Sequence, residues 1–165
     1  MNHLEQLISE WLENKDYFVR QNVKVGRLSH GGWEGELDVV AYHPRKRHLL
    51  HIEPSLDSIP WGKREEKFRK KFKAGREYIK DIFPQVKTNV KIEQWAVLWA
   101  SDANHKSIGG GKVKTLEKLY KTITEDIPEI NRRGSRALIS ENYPLLRTMQ
   151  FTIWAVRNDR TNRRP

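Results

Sequence analysis

Residues 33–57 read WEGELDVVAYHPRKRHLLHIEPSLD, and this stretch limits the fold more than any other in the chain. Residues 36–42 and 49–53 have strand character, and the polar, basic run 43–47 between them predicts a turn. Each strand carries an acid where a half-buried strand calls for an apolar side chain. Asp38 lies between Leu37 and Val39, and Glu53 follows Leu49, Leu50 and Ile52. A carboxylate in such a place costs free energy unless it is paired or binds a metal. Two such costs on neighbouring strands mark a site. Asp38 shares parity with Glu36 and Val40, and Glu53 with Leu49 and His51. Antiparallel pairing therefore brings Asp38 and Glu53 to one face near one end. Two carboxylates there suit Mg²⁺ or Mn²⁺, hard cations that take oxygen ligands.

The flanking segments supply the rest of an α/β pattern. Leu4, Leu7, Ile8, Trp11 and Leu12 recur at helical spacing, predicting an amphipathic helix over 4–14. Residues 17–25 alternate loosely and read as a first strand. His30 to Gly35 form a glycine-containing loop into the motif. Residues 58–83 make the longest helical segment, with Pro60 in its first turn and Pro84 as its stop. Its buried stripe is Trp61, Phe68, Phe72, Ile79 and Ile82, with Gly75 as a close contact or a kink. Its other face carries Lys63, Arg64, Lys67, Arg69, Lys70, Lys71, Lys73, Arg76 and Lys80 against Glu65, Glu66 and Glu77. So one-signed a run beside the acid strand predicts phosphate contact, with Lys63, Arg64, Lys67, Lys70, Lys71 and Lys73 as the binding residues.

Residues 91–100 read as a buried strand, 101–112 as a mobile basic loop and 113–127 as a helix. The run Gly109-Gly110-Gly111-Lys112 is not a phosphate-binding loop, since Lys106 stands in place of its first glycine and Val113 in place of its Ser/Thr. A basic turn at 131–136, a short strand at 137–139 and a last helix from Asn142 or Tyr143 follow. After Met149, helix and strand are both open readings. Residues 1–156 are expected as one domain and 157–165 as a frayed basic tail.

The motif resembles the PD-(D/E)XK nuclease superfamily, whose fold is the restriction-endonuclease-like one. Gly35, Asp38 and Glu53 match its pattern, and Ser55 stands where the family has its lysine. The resemblance implies an α/β fold with an αβββαβ core, a central mixed sheet flanked by helices, and here a C-terminal helical or strand extension. It implies that Asp38 and Glu53 hold Mg²⁺ or Mn²⁺, with the Ile52 or Pro54 carbonyl completing the set. It also implies a helix glutamate at the site, Glu5 or alternatively Glu10. Some members bring the basic group from the following helix, which points here to Lys67 first and Lys63 second. Holliday junction resolvases and small restriction or repair enzymes are the nearest analogies, and a homodimer acting on DNA is the expected assembly.

Composition agrees with a polyanionic partner. The chain of 165 residues has a formal net charge of +10, enough base to favour nucleic acid. It has no cysteine, which excludes disulfides and thiolate zinc sites. His43, His48 and His51 match no zinc spacing, and His51 reads either as a phosphate contact or as a satisfied core histidine. The start of the chain lacks the apolar run of a signal peptide, and no apolar stretch is long enough to span a bilayer, so a cytoplasmic protein is expected. Three functions stand as expectations. The first is a metal-dependent DNA endonuclease. The second is a catalytically inactive nucleic-acid-binding module on the same fold. The third is a protein-interaction subunit using its tryptophans.

Overall fold

The structure, a computed structural model, describes residues 2–86, 90–100, 105–130 and 138–162. Asn2 starts the first helix, α1 (His3–Glu13). Its side chain accepts from the N–H of Leu4 and Glu5, and the Glu5 carboxylate in turn accepts from the Asn2 N–H. The apolar stripe seen in the sequence, Leu4, Leu7, Ile8, Trp11 and Leu12, is buried. Three antiparallel strands follow: β1 (Phe18–Arg27), β2 (Trp33–His43) and β3 (His48–Ser55). Helix α2 (Trp61–Ile82) crosses over, and β4 (Ile92–Leu98) joins parallel to β3. Strand β6 (Gly111–Thr115) pairs parallel to β4, and the short β5 (Ser107–Ile108) closes that edge antiparallel. Helices α3 (Leu116–Asp126) and α4 (Pro144–Asn162) complete the chain. The result is an α/β fold on a mixed six-stranded sheet of order β1-β2-β3-β4-β6-β5.

Strand alternation divides the core into two faces. Val39, Ala41, Leu50, Ile52, Trp95 and Val97 pack under α1, α3 and α4. Val40 and Leu49 pack against Ala74 and Ile79 of α2 on the other face. Ala96 and Leu98 meet Phe68 and Phe72 of the same helix. The face under α2 therefore carries Asp38, Val40 and Tyr42 of β2 and Leu49, His51 and Glu53 of β3.

The glycine run departs from expectation. Far from a mobile loop, it is a tight turn docked on α2. Gly109 has φ +57°, and a Cβ there would lie 2.5 Å from the Phe68 and Arg69 backbone. Its N–H donates to the Glu65 carboxylate at 3.1 Å. Gly111 lies on the Phe72 ring, where a Cβ would come within 2.3 Å. Val113 lies in β6 opposite Ala96 of β4, and helix α3 begins only at Leu116, capped by Thr115. Glycine content signalled flexibility in the sequence, whereas here it permits close approach.

Beyond α3, Leu138 and Ile139 form no strand, and Ala137 and the turn expected at 131–136 lie outside the described residues. The ambiguity after Met149 resolves to a single helix. Leu146 and Gln150 are buried and Met149 and Ile153 pack against the core, a helical spacing that strand geometry could not keep on one side. Gln150 accepts from the Ile139 N–H and donates to the Pro128 carbonyl, both at 2.9 Å. The helix continues through Asn162, into the segment expected to fray. Among the described residues no helix is long and apolar enough to cross a membrane.

Candidate active site

The register of β2 on β3, Val39 against Ile52 and Val40 against His51, continues to place Asp38 beside Glu53. The Asp38 N–H donates to Glu53 Oε1 at 3.2 Å. From above, α2 lowers Lys71 between the two acids. Its Nζ donates to Asp38 Oδ1 at 2.6 Å and also to Glu53 Oε2. The arrangement is largely withdrawn from water, with the Glu53 side chain 1% exposed, Asp38 15% and Lys71 25%.

Glu53 is held from beneath by His51. The imidazole is fully buried, and its Nε2 lies 2.7 Å from Glu53 Oε1. Its Nδ1 lies 3.0 Å from Gln94 Nε2, which also donates to the Phe72 carbonyl at 2.9 Å. Gln94 Oε1 accepts from Arg76 at 2.6 Å. The amide is thereby fixed with its NH₂ toward His51. Nδ1 must accept, so Nε2 carries the proton and donates to Glu53. Burial and the Lys71 ammonium pull His51 down to about 3, so the ring is neutral. His51 is the satisfied core histidine of the two readings the sequence left open.

Burial, reinforced by Glu53, pushes the Asp38 carboxyl up to about 7 against the opposing pull of Lys71. Lys71 moves the other way. Burial alone would lower it, but the Glu53 and Asp38 charges outweigh that and raise it, so it remains an ammonium at neutral pH.

The basic residues expected here separate into three groups. Lys67, the expected replacement for the motif lysine, does not reach the acids. It pairs with Asp57 at 2.7 Å and lies 3.4 Å from Ser55 Oγ. Lys63 is exposed in the first turn of α2, and the neighbouring Arg64 donates to the Asp57 carbonyl. Lys70 is exposed and pairs with Glu66 at 2.9 Å, and Lys73 is exposed. Lys70, Lys71 and Lys73 line an open cleft of about 300 Å³ with Glu34, Gly35 and Glu36. Lys71, expected only as a phosphate contact, is the residue that meets both carboxylates. The signal for it lay in the helix itself. Lys71 follows Phe68 by three residues and precedes Gly75 by four, which puts it at the border of the buried stripe.

Neither helix glutamate joins the site. Glu5 is buried in the capping box of α1, on the opposite face of the sheet. Glu10 accepts from the Leu146 N–H at 2.9 Å and so serves the start of α4. The motif histidines do not converge on a metal either. His43 accepts from the Lys46 N–H, while His48 lies between Tyr17 at 2.9 Å and Glu93 at 3.1 Å.

Among the described residues no group of three or more His, Asp or Glu side chains is placed to hold a metal ion. The two acids nonetheless fit a divalent cation in one respect. Asp38 Oδ1 and Glu53 Oε2 already converge on one cationic atom, Lys71 Nζ, so a single point lies within reach of both. Any ion at that point must displace the ammonium. Compared with known proteins, the chain matches no family model and no curated sequence.

Proposed function

We propose that the chain is a metal-dependent DNA endonuclease on a restriction-endonuclease-like fold. The observation that carries this reading is the convergence of Asp38, Glu53 and Lys71, from two neighbouring strands and the helix that follows them. The order α1-β1-β2-β3-α2-β4 supports it, as does the basic exposed face of α2.

Asp38 and Glu53 would hold Mg²⁺ or Mn²⁺ through one oxygen each. When bound, the ion would polarise a phosphate oxygen and acidify a water for attack at phosphorus. The chain's own groups do the rest. His51 fixes the inner oxygen of Glu53, so the outer one faces the site. Lys71, once displaced from between the acids, would offset charge on the scissile phosphate, the role the resemblance gives the motif lysine. Lys67 places a second cation beside Ser55, on the same rim. The exposed Lys63, Lys70 and Lys73 neutralise flanking phosphates.

A specific observation favours a second reading, the silent nucleic-acid-binding module. An ammonium that bridges both acids already satisfies them, and Ser55 offers no replacement charge of its own.

Cleavage of supercoiled, linear and branched DNA with Mg²⁺ or Mn²⁺ separates the two. The expected result is metal-dependent cleavage that disappears in Asp38→Ala while DNA affinity remains. Wild-type protein that binds every substrate and cuts none sinks the enzyme and leaves the module.

Charge reversal at Lys70 and Lys73 is expected to weaken binding to all sequences alike. It should also flatten the dependence of log affinity on log salt by about one for each phosphate no longer neutralised. Titrations of the wild type and the double variant at several salt concentrations measure this. An unchanged slope removes these lysines from the interface.

A further inference from the structure

Next to the cleft at Lys70, Lys71 and Lys73 lies a second open groove, of about 220 Å³, between the β1–β2 hairpin and the latter half of α2. Val23 and Val25 of β1, Trp33 at the start of β2, and Tyr78 and Ile82 of α2 line it. Val25 belongs to the apolar cluster under α2, and Val23, Tyr78 and Ile82 pack against that cluster. The groove is therefore on the same face of the sheet as Asp38 and Glu53, which meet Lys71 of the same helix.

Cleft and groove adjoin along both elements. On α2, Lys70 and Ala74 line the cleft, and Tyr78 and Asp81 line the groove. These four stand at i, i+4, i+8 and i+11, which is one flank of a helix, and Tyr78 lies about 10 Å along the axis from Lys71. On the hairpin, Gly35 and Glu36 of the cleft are ladder partners of Val25 and Lys24 of the groove. Between the two spaces the Tyr78 hydroxyl donates to the Glu34 carboxylate at 2.7 Å.

The chemistry of the groove selects its occupant. From Tyr17 to Trp33 the chain carries Arg20, Lys24 and Arg27 and no acid. Lys24 is exposed and lines the groove with Trp33, and the exposed Arg27 is the ladder partner of Trp33. Trp33 itself is 47% exposed. Asp81, on the helix side, opposes a phostphate inside the groove but can accept from the N–H groups on the edge of a base. A ring therefore suits the groove, and its phosphate suits Lys24. A base in a duplex has its faces covered by its neighbours, whereas an unpaired base offers a π-face for stacking.

Resting on the nucleic-acid reading above, we propose that this groove is a subsite for an unpaired base adjoining the phosphate at Asp38 and Glu53, with Trp33 as its stacking surface and Lys24 as its phosphate contact. The substrate class is therefore DNA with unpaired nucleotides beside the site of action, such as a single strand, an overhang or a branch point. Charge complementarity selects this occupant over an apolar protein segment, which would leave Lys24 and Arg27 unmatched.

The test is fluorescence anisotropy with a labelled oligothymidylate, a duplex bearing a single-stranded overhang and a blunt duplex, for wild type, Trp33→Ala, Trp33→Phe and Lys24→Gln. Trp33→Ala should weaken binding of the single strand and the overhang by about 10- to 100-fold, the loss of one stacked base. Blunt duplex should change less than about twofold, and the salt slope should stay the same, since no cation is removed from a phosphate. Trp33→Phe should retain most of the affinity. Lys24→Gln should flatten the salt slope for the single strand by about 0.7, the value for one phosphate. Matching circular dichroism spectra and urea midpoints will establish that the tryptophan variants fold, and Lys24→Gln, at an exposed position, tests the subsite independently of them.

Equal losses for Trp33→Ala on all three substrates, or none on any, overturn the subsite while leaving the nucleic-acid reading intact. An unchanged single-strand slope in Lys24→Gln does the same. Wild-type protein with no salt-dependent affinity for any of the three overturns both, and is the result that a groove covered by protein predicts.

Discussion

Lys71→Met is expected to lower metal-dependent DNA cleavage by about 10²- to 10³-fold, the usual cost of losing one preorganised charge at a reacting centre. DNA affinity should stay within a few-fold, because Lys71 is three-quarters buried and the exposed cations of α2 remain. Methionine keeps most of the stem and removes only the ammonium, so the packing around that stem is little disturbed. The same change should destabilise the fold. Without the ammonium, Asp38 and Glu53 face each other almost dry, and breaking a buried charge cluster on one side costs about 3 kcal/mol or more. Adding Asp38→Asn removes the repulsion. The double variant should regain much of that stability in urea unfolding and none of the cleavage. A Lys71→Met protein that cuts DNA at the wild-type rate removes Lys71 from the chemistry. One that gains affinity for Mn²⁺ while wild type binds none identifies the ammonium as the resident cation of a silent site.

The acids were legible in the sequence and their partner was not, for a physical reason. A strand alternates with period two, so Asp38 and Glu53 betray themselves as carboxylates at positions that must face a core. Their antiparallel pairing follows from the short turn at 43–47. A helix that crosses over the sheet has a phase and a height that depend on the length of the connection before it. Lys63, Lys67 and Lys71 succeed one another at four-residue steps, and sequence alone did not say which turn of α2 would stand over the acids. Residues 56–60 carry the chain beyond the strand ends, so the first turn lies past the acids and the helix runs back over them. Lys67 consequently stops at Ser55 and Asp57, and Lys71 is the one that arrives. The expectation for Glu5 failed for a different reason. An acid three residues after Asn2 is a capping-box signature, and that local use took the side chain. The glycine run from 109 misled through composition, because glycine marks both looseness and tight packing and only the neighbour, here α2, decides which.

Gly75→Ala should destabilise the protein by roughly 3 kcal/mol, although the same change in an ordinary helix interior gains about 1 kcal/mol. Gly75 is buried in the middle of α2, directly over His51. A Cβ there would lie 2.2 Å from His51 Nδ1, 2.5 Å from its Cε1 and 3.0 Å from Gln94 Nε2. None of these atoms is the loose end of a flexible chain. The ring is fixed between Glu53 and Gln94, and Gln94 is fixed by Phe72 and Arg76. To admit one methyl, either α2 lifts from the sheet, carrying Lys71 away from the acids, or His51 turns and leaves a buried Glu53 oxygen with a weaker partner. Both routes damage the site as well as the fold, so cleavage should fall along with the urea midpoint. His51→Ala identifies the clash. Alone, it costs a cavity and the bond to Glu53, and beside Gly75→Ala the new methyl enters space the ring has vacated. The double variant should therefore lose little more than His51→Ala does, a strongly non-additive pair. Losses that simply add would place the strain of Gly75→Ala somewhere other than His51, and a Gly75→Ala protein more stable than wild type would mean the helix does not sit this close to the acid strand.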